Sequence, residues 1–233
     1  MKELFSKVLK IPSWESIPFL VHGFGTKQWR EEDFKRHKEL KDFKLLFLRQ
    51  IHSDIIHVID QIPVQKLTGD AMLTGQKGVL LSIKTADCLP VLMVDRKQKA
   101  VAAVHCGWKS TSQGVIQKVV KGMELHFGCK SSSLLVAMGP CMGRNCYEVG
   151  DDVRQEFERK GLSLKPFQPH PSQSEKYFLD LKRANGIQLV DAGVGESNIS
   201  EVDLCTHCED DLLSYRRDKK CSGRMLSFIG LSF

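Results

Sequence analysis

Residues 82–108 read SIKTADCLPVLMVDRKQKAVAAVHCGW. With the residues just before it, this stretch holds three short apolar runs at 79–83, 90–94 and 101–104. They are separated by Thr85-Ala-Asp-Cys88 and by the charged turn Asp95-Arg-Lys-Gln-Lys99. Short apolar runs bounded by turn residues predict buried strands. The first run ends at Cys88 and the third at His105-Cys106-Gly107-Trp108, which sets a thiol and an imidazole at strand ends. Such rims are where rigid scaffolds present chemistry.

Downstream, residues 111–127 carry apolar side chains at 115, 116, 119, 120, 123 and 127, a helical spacing closed by Gly128. Ser110 or Thr111 is the expected cap. The 105–107 turn then precedes a helix start, where free N–H groups favour an anion such as phosphate. Upstream, 44–51 and 55–59 read as strands enclosing Gln50-Ile-His52-Ser-Asp54, and Thr68-Gly-Asp70-Ala71 opens the central stretch. His22-Gly-Phe-Gly-Thr-Lys27 is turn-rich, and 30–44 is a charged helix or loop. Beyond the central stretch we expect strands at 134–138, 199–202 and 225–231. Helices are expected at 151–161, at 181–192 behind an Asp180 cap, and at 209–215. Residues 165–176, with three prolines, read as a loop. No repeat, low-complexity tract or linker interrupts the chain, so residues 1–233 read as one α+β domain.

A hydrophobic fraction of 42% and a charged fraction of 27% are those of an ordinary globular protein. The net charge of +6 is spread along the chain, which favours small anionic substrates over nucleic acid. No apolar run approaches the roughly 20 residues of a membrane span. The N-terminal apolar stretch is too short for a signal peptide. The expected location is the cytoplasm, where the eight cysteines would be thiols or metal ligands. Nothing in the sequence calls for an obligate protein partner.

His52, Cys88 and His105 are the candidate site. Two imidazoles and a thiolate make a three-ligand set that leaves a fourth position for water, as in a catalytic zinc site. Spread over 53 residues they form no local motif. A buried structural cysteine beside two satisfied histidines is the other reading. Asp70 and Asp87 lie next to these residues in sequence and are candidates to orient a histidine or handle a proton; turn and capping roles stand beside that. Lys27, Lys109 and Arg216 are candidate anion contacts. Cys205-Thr-His-Cys208 with Cys221 offers a second cluster, although a single C-x-x-C is a poor zinc signature. Cys129, Cys141 and Cys146 read as packed small hydrophobes. There is no P-loop, G-x-G-x-x-G or G-x-S-x-G.

Gln50-Ile-His52, Gly69-Asp70-Ala-Met72, Thr85-Ala-Asp-Cys88-Leu-Pro90 and Ala103-Val-His105-Cys-Gly-Trp108 resemble the successive motifs of the YfiH/laccase-domain family. Members of that family have been labelled polyphenol oxidase or multicopper oxidase-like, and they include FAMIN-type purine nucleoside phosphorylases. Gly139-Pro140, Cys146-Tyr-Glu-Val-Gly150, Leu179-Asp-Leu181, Asp203-Leu-Cys-Thr206, Ser214-Tyr-Arg-Arg217 and Gly223-Arg-Met225 continue the match in order, from about residue 20 to the C-terminus.

The resemblance implies a single α/β/β/α layered domain with mixed sheets, and a zinc ion held by His52, Cys88 and His105. It implies phosphorolysis of adenosine, inosine, guanosine and methylthioadenosine, with deamination of adenosine, so that the partners are a purine nucleoside and phosphate. Two rival readings are a copper-dependent polyphenol oxidase and a metal-free Cys88–His105 hydrolase. The eight histidines include no H-x-H pair, so a trinuclear copper cluster is not expected, although one copper would suit the same ligands. The sequence departs from the family pattern at His105-Cys-Gly-Trp-Lys-Ser110, where His-Ala-Gly-Trp-Arg-Gly is usual. Lysine cannot reproduce a two-pronged arginine contact. The glycine-rich loop after residue 25 is short, and Leu212-Leu213 replaces an aromatic pair.

Overall fold

The structure is a computed structural model that describes residues 7–219 and 223–233. The first half of the chain runs β1 (Val8–Leu9), β2 (Leu20–Gly25), α1 (Glu31–Arg36), β3 (Lys44–Phe47), β4 (Ile56–Val58), β5 (Ala71–Thr74), β6 (Val79–Thr85), β7 (Leu89–Asp95) and β8 (Ala100–Cys106). There follow α2 (Trp108–Ser112), α3 (Val115–Phe127), β9 (Leu135–Met138), β10 (Glu148–Gly150), α4 (Asp151–Arg159) and β11 (Phe167–Pro169). The chain ends with β12 (Lys176–Leu179), α5 (Leu181–Asp191), β13 (Ile199–Glu201), α6 (Tyr215–Asp218) and β14 (Met225–Leu231).

The three central strands form as expected, but they do not share a sheet. β6 lies in a five-stranded sheet of order β1-β2-β14-β6-β3, while β7 and β8 lie in a six-stranded sheet of order β13-β9-β7-β8-β5-β4. A third sheet, β10-β12-β11, stands beside them. The strand pleat then sorts the core into layers. On β8, Ala102, Val104 and Cys106 pack with Val115, Val119 and Met123 of α3. The alternate residues Val101 and Ala103 pack instead with Leu81 and Ile83 of β6. Behind the five-stranded sheet, Leu80 and Phe228 pack with Trp29 and Phe34. This is the α/β/β/α layering, with parallel and antiparallel pairs mixed in both large sheets.

Five local expectations are corrected. The helix expected over 111–127 is two helices, broken where Gly114 takes a left-handed φ of 73°. Ser110 and Thr111 do not cap the longer one; Ser110 Oγ instead accepts from Gly107 N at 2.9 Å and donates to His105 O at 3.0 Å. Residues 22–25 lie inside β2, where buried His22 accepts the Ile11 N–H; burial and the Lys10 charge hold its pKa down at about 4. Pro-rich 165–176 contains the short strand β11. Residues 209–214 form no helix; the Arg217 guanidinium instead reaches back to the carbonyls of Thr206, Glu209 and Leu212. Among the described residues, no helix is long and apolar enough to cross a membrane.

Candidate metal centre

The site forms where the chain passes from one sheet to the other. β6 ends at Thr85, and Ala86-Asp87-Cys88 crosses to β7 in the second sheet. Pro90 pairs with His105, so the crossing delivers Cys88 beside the end of β8. On the other flank of β8, Ala71 pairs with Val104, which sets Asp70 opposite His105; His105 N donates to Asp70 O at 2.7 Å. Sheet register alone therefore brings together residues 17 and 35 positions apart.

Asp70 is fully buried and organises the rest. Its carboxylate accepts the N–H groups of Ile51 at 3.3 Å, His52 at 3.0 Å and Ser53 at 2.6 Å, and the Ser53 hydroxyl at 2.7 Å. Successive backbone donors of this kind form an anion-binding nest. To make it, His52 adopts a left-handed φ of 60°, which a residue with a side chain holds at a cost of about 1–3 kcal/mol. The same carboxylate binds His105 Nδ1 at 2.7 Å, which leaves Nε2 as the ring's ligand atom. Burial opposes charge on Asp70, but the bonds from His105 and Ser53 prevail and bring it down to about 2.

One ligand atom from each of His52, Cys88 and His105 lies within 4.8 Å of the others. Cys88 Sγ is 3.7 Å from His52 Nε2, and the two rings meet edge to face. Gly107 has to be glycine here, since a Cβ would come within 2.8 Å of the His52 ring and 3.3 Å of Cys88 Sγ. Burial works against the Cys88 thiolate, yet the hydrogen bonds and charges of His105 and His52 lower its pKa to about 6. Burial also opposes the imidazolium of His105, which Asp70 and Cys88 nonetheless raise to about 9. Without metal, thiolate and imidazolium therefore coexist between those two values. Iodoacetamide should modify Cys88 in metal-free protein with a half-maximal rate near pH 6, read by mass spectrometry of its peptide. A profile centred near the ordinary thiol value would disprove the pairing.

The group opens into a cavity of about 650 Å³. Five cationic side chains line it (Arg49, Lys66, Lys84, Arg216 and Arg224), with Asp87 as the carboxylate. Gln50, Met142, Tyr147 and Tyr215 complete the walls. Gln50 is fixed by Lys84, donating to its carbonyl and accepting its N–H, both at 2.8 Å. The Asp87 carboxylate is engaged in holding the wall, accepting Thr206 Oγ1 at 2.7 Å and Arg216 N at 2.8 Å. The Arg216 guanidinium donates to Glu148 O and lies over the Tyr147 ring.

Lys27 and Lys109 do not line this cavity. Lys27 Nζ donates to Asp210 O at 2.6 Å, and Lys109 Nζ lies 5.5 Å from the Trp108 ring. At the helix start expected to meet phosphate, the Gly107 N–H is taken by Ser110. Sequence reading assigned no role to Arg49, Lys66, Lys84, Arg224 or Tyr147. Arg224 and Tyr147 sit inside quoted motifs, but nothing in a motif says which cavity a side chain faces.

A second group also forms. Ligand atoms of Cys146, Cys205 and Cys208 lie within 4.8 Å of one another. Cys146 is therefore not simply a packed small hydrophobe; Cys129 and Cys141 are buried in the core. Cys221 lies outside the described residues.

A layered α/β/β/α domain with a His-Cys-His group at the junction of its sheets, able to hold a metal, defines the class of this protein. The chain belongs to the family described as multi-copper polyphenol oxidoreductase laccase, whose model matches residues 28–232. It is 36% identical over 208 residues to a purine nucleoside phosphorylase of Clostridium acetobutylicum, covering 85% of this chain and 84% of that one. It is 35% identical over 197 residues to an adenosine deaminase from an unknown prokaryotic organism, covering 80% and 74%. The crystal structure of YfiH from Bacillus licheniformis superposes with a TM-score of 0.86 at 27% identity, over 97% of both chains. That of YlmD from Geobacillus stearothermophilus gives 0.82 at 28% identity, over 93% of both.

Proposed function

We propose that this chain is a zinc-dependent purine nucleoside phosphorylase that also deaminates adenosine. The carrying observation is the His52–Cys88–His105 group opening into a cavity lined by five cations and one carboxylate. The donor set suits the ion: two imidazoles and a thiol already poised as thiolate are the ligands borderline-soft zinc takes, with a position left for substrate or water. Bound there, zinc would supply Lewis acidity toward a substrate or water oxygen.

The protein's own residues do the rest. Asp70 fixes the His105 tautomer and ring, and a metal held there would take the place of the Nε2 proton of the imidazolium. Arg216, with Arg49, Lys84 and Arg224, attracts and orients phosphate, while Tyr147 and Tyr215 offer aromatic faces to the purine. In phosphorolysis a phosphate oxygen bonds to ribose C1′ as the C1′–N9 bond breaks. The electron pair leaves with the purine, which takes up a proton. In deamination water adds at C6 and ammonia departs.

The test is adenosine with and without phosphate, followed by chromatography. Adenine should appear only with phosphate, inosine in both arms, and hypoxanthine from inosine only with phosphate. No product from a panel of purine nucleosides, with metal restored, refutes the proposal. The Cys88–His105 ion pair favours a second reading, a thiolate nucleophile whose proton His105 has taken up as base. Full turnover after complete removal of metal would select it. Metal analysis of protein purified without added copper separates zinc from copper.

A further inference from the structure

The second sulfur group has the form of a metal site. Cys146 Sγ and Cys208 Sγ are 3.5 Å apart, and both lie with Cys205 Sγ inside a 4.8 Å cluster. Thiolates around a tetrahedral zinc stand roughly 3.8 Å apart, from bonds of about 2.3 Å. A disulfide would need about 2.05 Å and would use only two of the three sulfurs.

The backbone holds the cluster in place. Cys205 bridges to Cys141 in parallel pairing, and Thr206 N donates to Cys141 O at 3.0 Å. The Gly143 N–H donates to Cys205 Sγ at 3.1 Å, and a Cβ on Gly143 would itself come within 3.1 Å of that sulfur. The tight turn that returns Cys146 N to Gly143 O at 2.9 Å brings the third thiol in. N–H donation to one cysteine sulfur stabilises a thiolate and orients its lone pairs. Cys208 is exposed, so a fourth position faces solvent.

We propose that Cys146, Cys205 and Cys208 bind a second Zn²⁺ ion, completed by water, that fastens the 143–147 turn to the 205–208 turn. Both turns bear on the cavity wall. Tyr147 follows Cys146 directly, Met142 N donates to Asp87 O, and Thr206 donates to the Asp87 carboxylate. The ion is a clamp on that wall and takes no part in the reaction.

The test uses the full chain, kept reduced, stripped with chelator and reloaded with Zn²⁺ or Co²⁺. Wild type should bind about two ions per chain, and Cys88→Ser, Cys146→Ser and Cys208→Ser about one each, as expected for three-ligand sites. Cobalt in Cys88→Ser should keep the intense sulfur-to-metal absorption of a multi-thiolate site, and Cys88→Ser/Cys208→Ser should lose it. The Cys88→Ser spectrum needs no change in the second cluster, so it decides the matter even if Cys208→Ser fails to fold. Absence of that absorption in folded Cys88→Ser overturns the proposal. So does an ion count that Cys146→Ser and Cys208→Ser leave unchanged, or a thiol titration of the native protein showing two of the three sulfurs joined in a disulfide.

Discussion

Protein carrying His105→Ala is expected to emerge without metal at the His52–Cys88–His105 group and to lose inosine phosphorolysis by about a thousandfold or more, on the scale of removing a principal electrostatic stabiliser. Of the three candidate ligands, His105 has the most rigid support. Its ring is buried, its Nδ1 is bound to Asp70 at 2.7 Å, and its backbone is paired on both sides within the six-stranded sheet. Truncation also leaves buried Asp70 without its imidazolium partner, a loss of about 1–3 kcal/mol in stability. Metal content by atomic emission and phosphorolysis rate are measured on the same sample. Full activity without metal would refute the assignment, and metal retained without activity would show that His105 acts otherwise than as a ligand.

The readable part of this site was the part coded locally. Val79–Thr85, Leu89–Asp95, Ala100–Cys106 and Met225–Leu231 are strands because their residues are apolar and bounded by turn residues, and each was legible within a residue or two. Gly128 and Asp180 ended and began their helices as expected, Gly128 at a left-handed φ of 65° and Asp180 by accepting the Arg183 N–H. What stayed hidden depends on partners far away in sequence. Nothing local says that β6 joins β14 while β7 joins β8, yet this division makes Ala86-Asp87-Cys88 a crossing between sheets rather than a hairpin. The apolar period begins only at 115, so it carried no sign of the break at Gly114 just before it. In place of the expected helix at 209–215, the chain turns irregularly until α6 begins at Tyr215, and the Arg217 guanidinium ties the carbonyls of Thr206, Glu209 and Leu212 together, an arrangement no local pattern announces. Cys146 could not be matched with Cys205 and Cys208 from spacing, because about 60 residues of intervening fold separate the two turns that carry them.

Asp70→Asn should be nearly as damaging as loss of a ligand, although Asp70 is not within the metal-ligand group. The substitution keeps the shape, removes the charge, and turns one acceptor into a donor facing donors. Three backbone N–H groups, the Ser53 hydroxyl and His105 Nδ1 all converge on that carboxylate. Their loss releases the left-handed His52 and frees the His105 ring to turn, so metal affinity should fall at least the 10- to 100-fold usual when a ligand's orienting carboxylate is removed. Breaking one side of a buried charged pair also costs stability, about 3 kcal/mol or more. The pH dependence gives an independent check. The folded pKa of Asp70 is about 2, below its ordinary 3.8, so its ionisation stabilises the fold at all pH values above about 4 and is lost as pH falls toward 2. That displacement corresponds to about 2 kcal/mol. Urea midpoints for wild type and Asp70→Asn should therefore be separated at pH 7 and draw together by pH 2–3. A constant gap, or a variant that holds metal as tightly as wild type, would mean that the nest of residues 51–53 is set by the backbone alone and that Asp70 merely fills it.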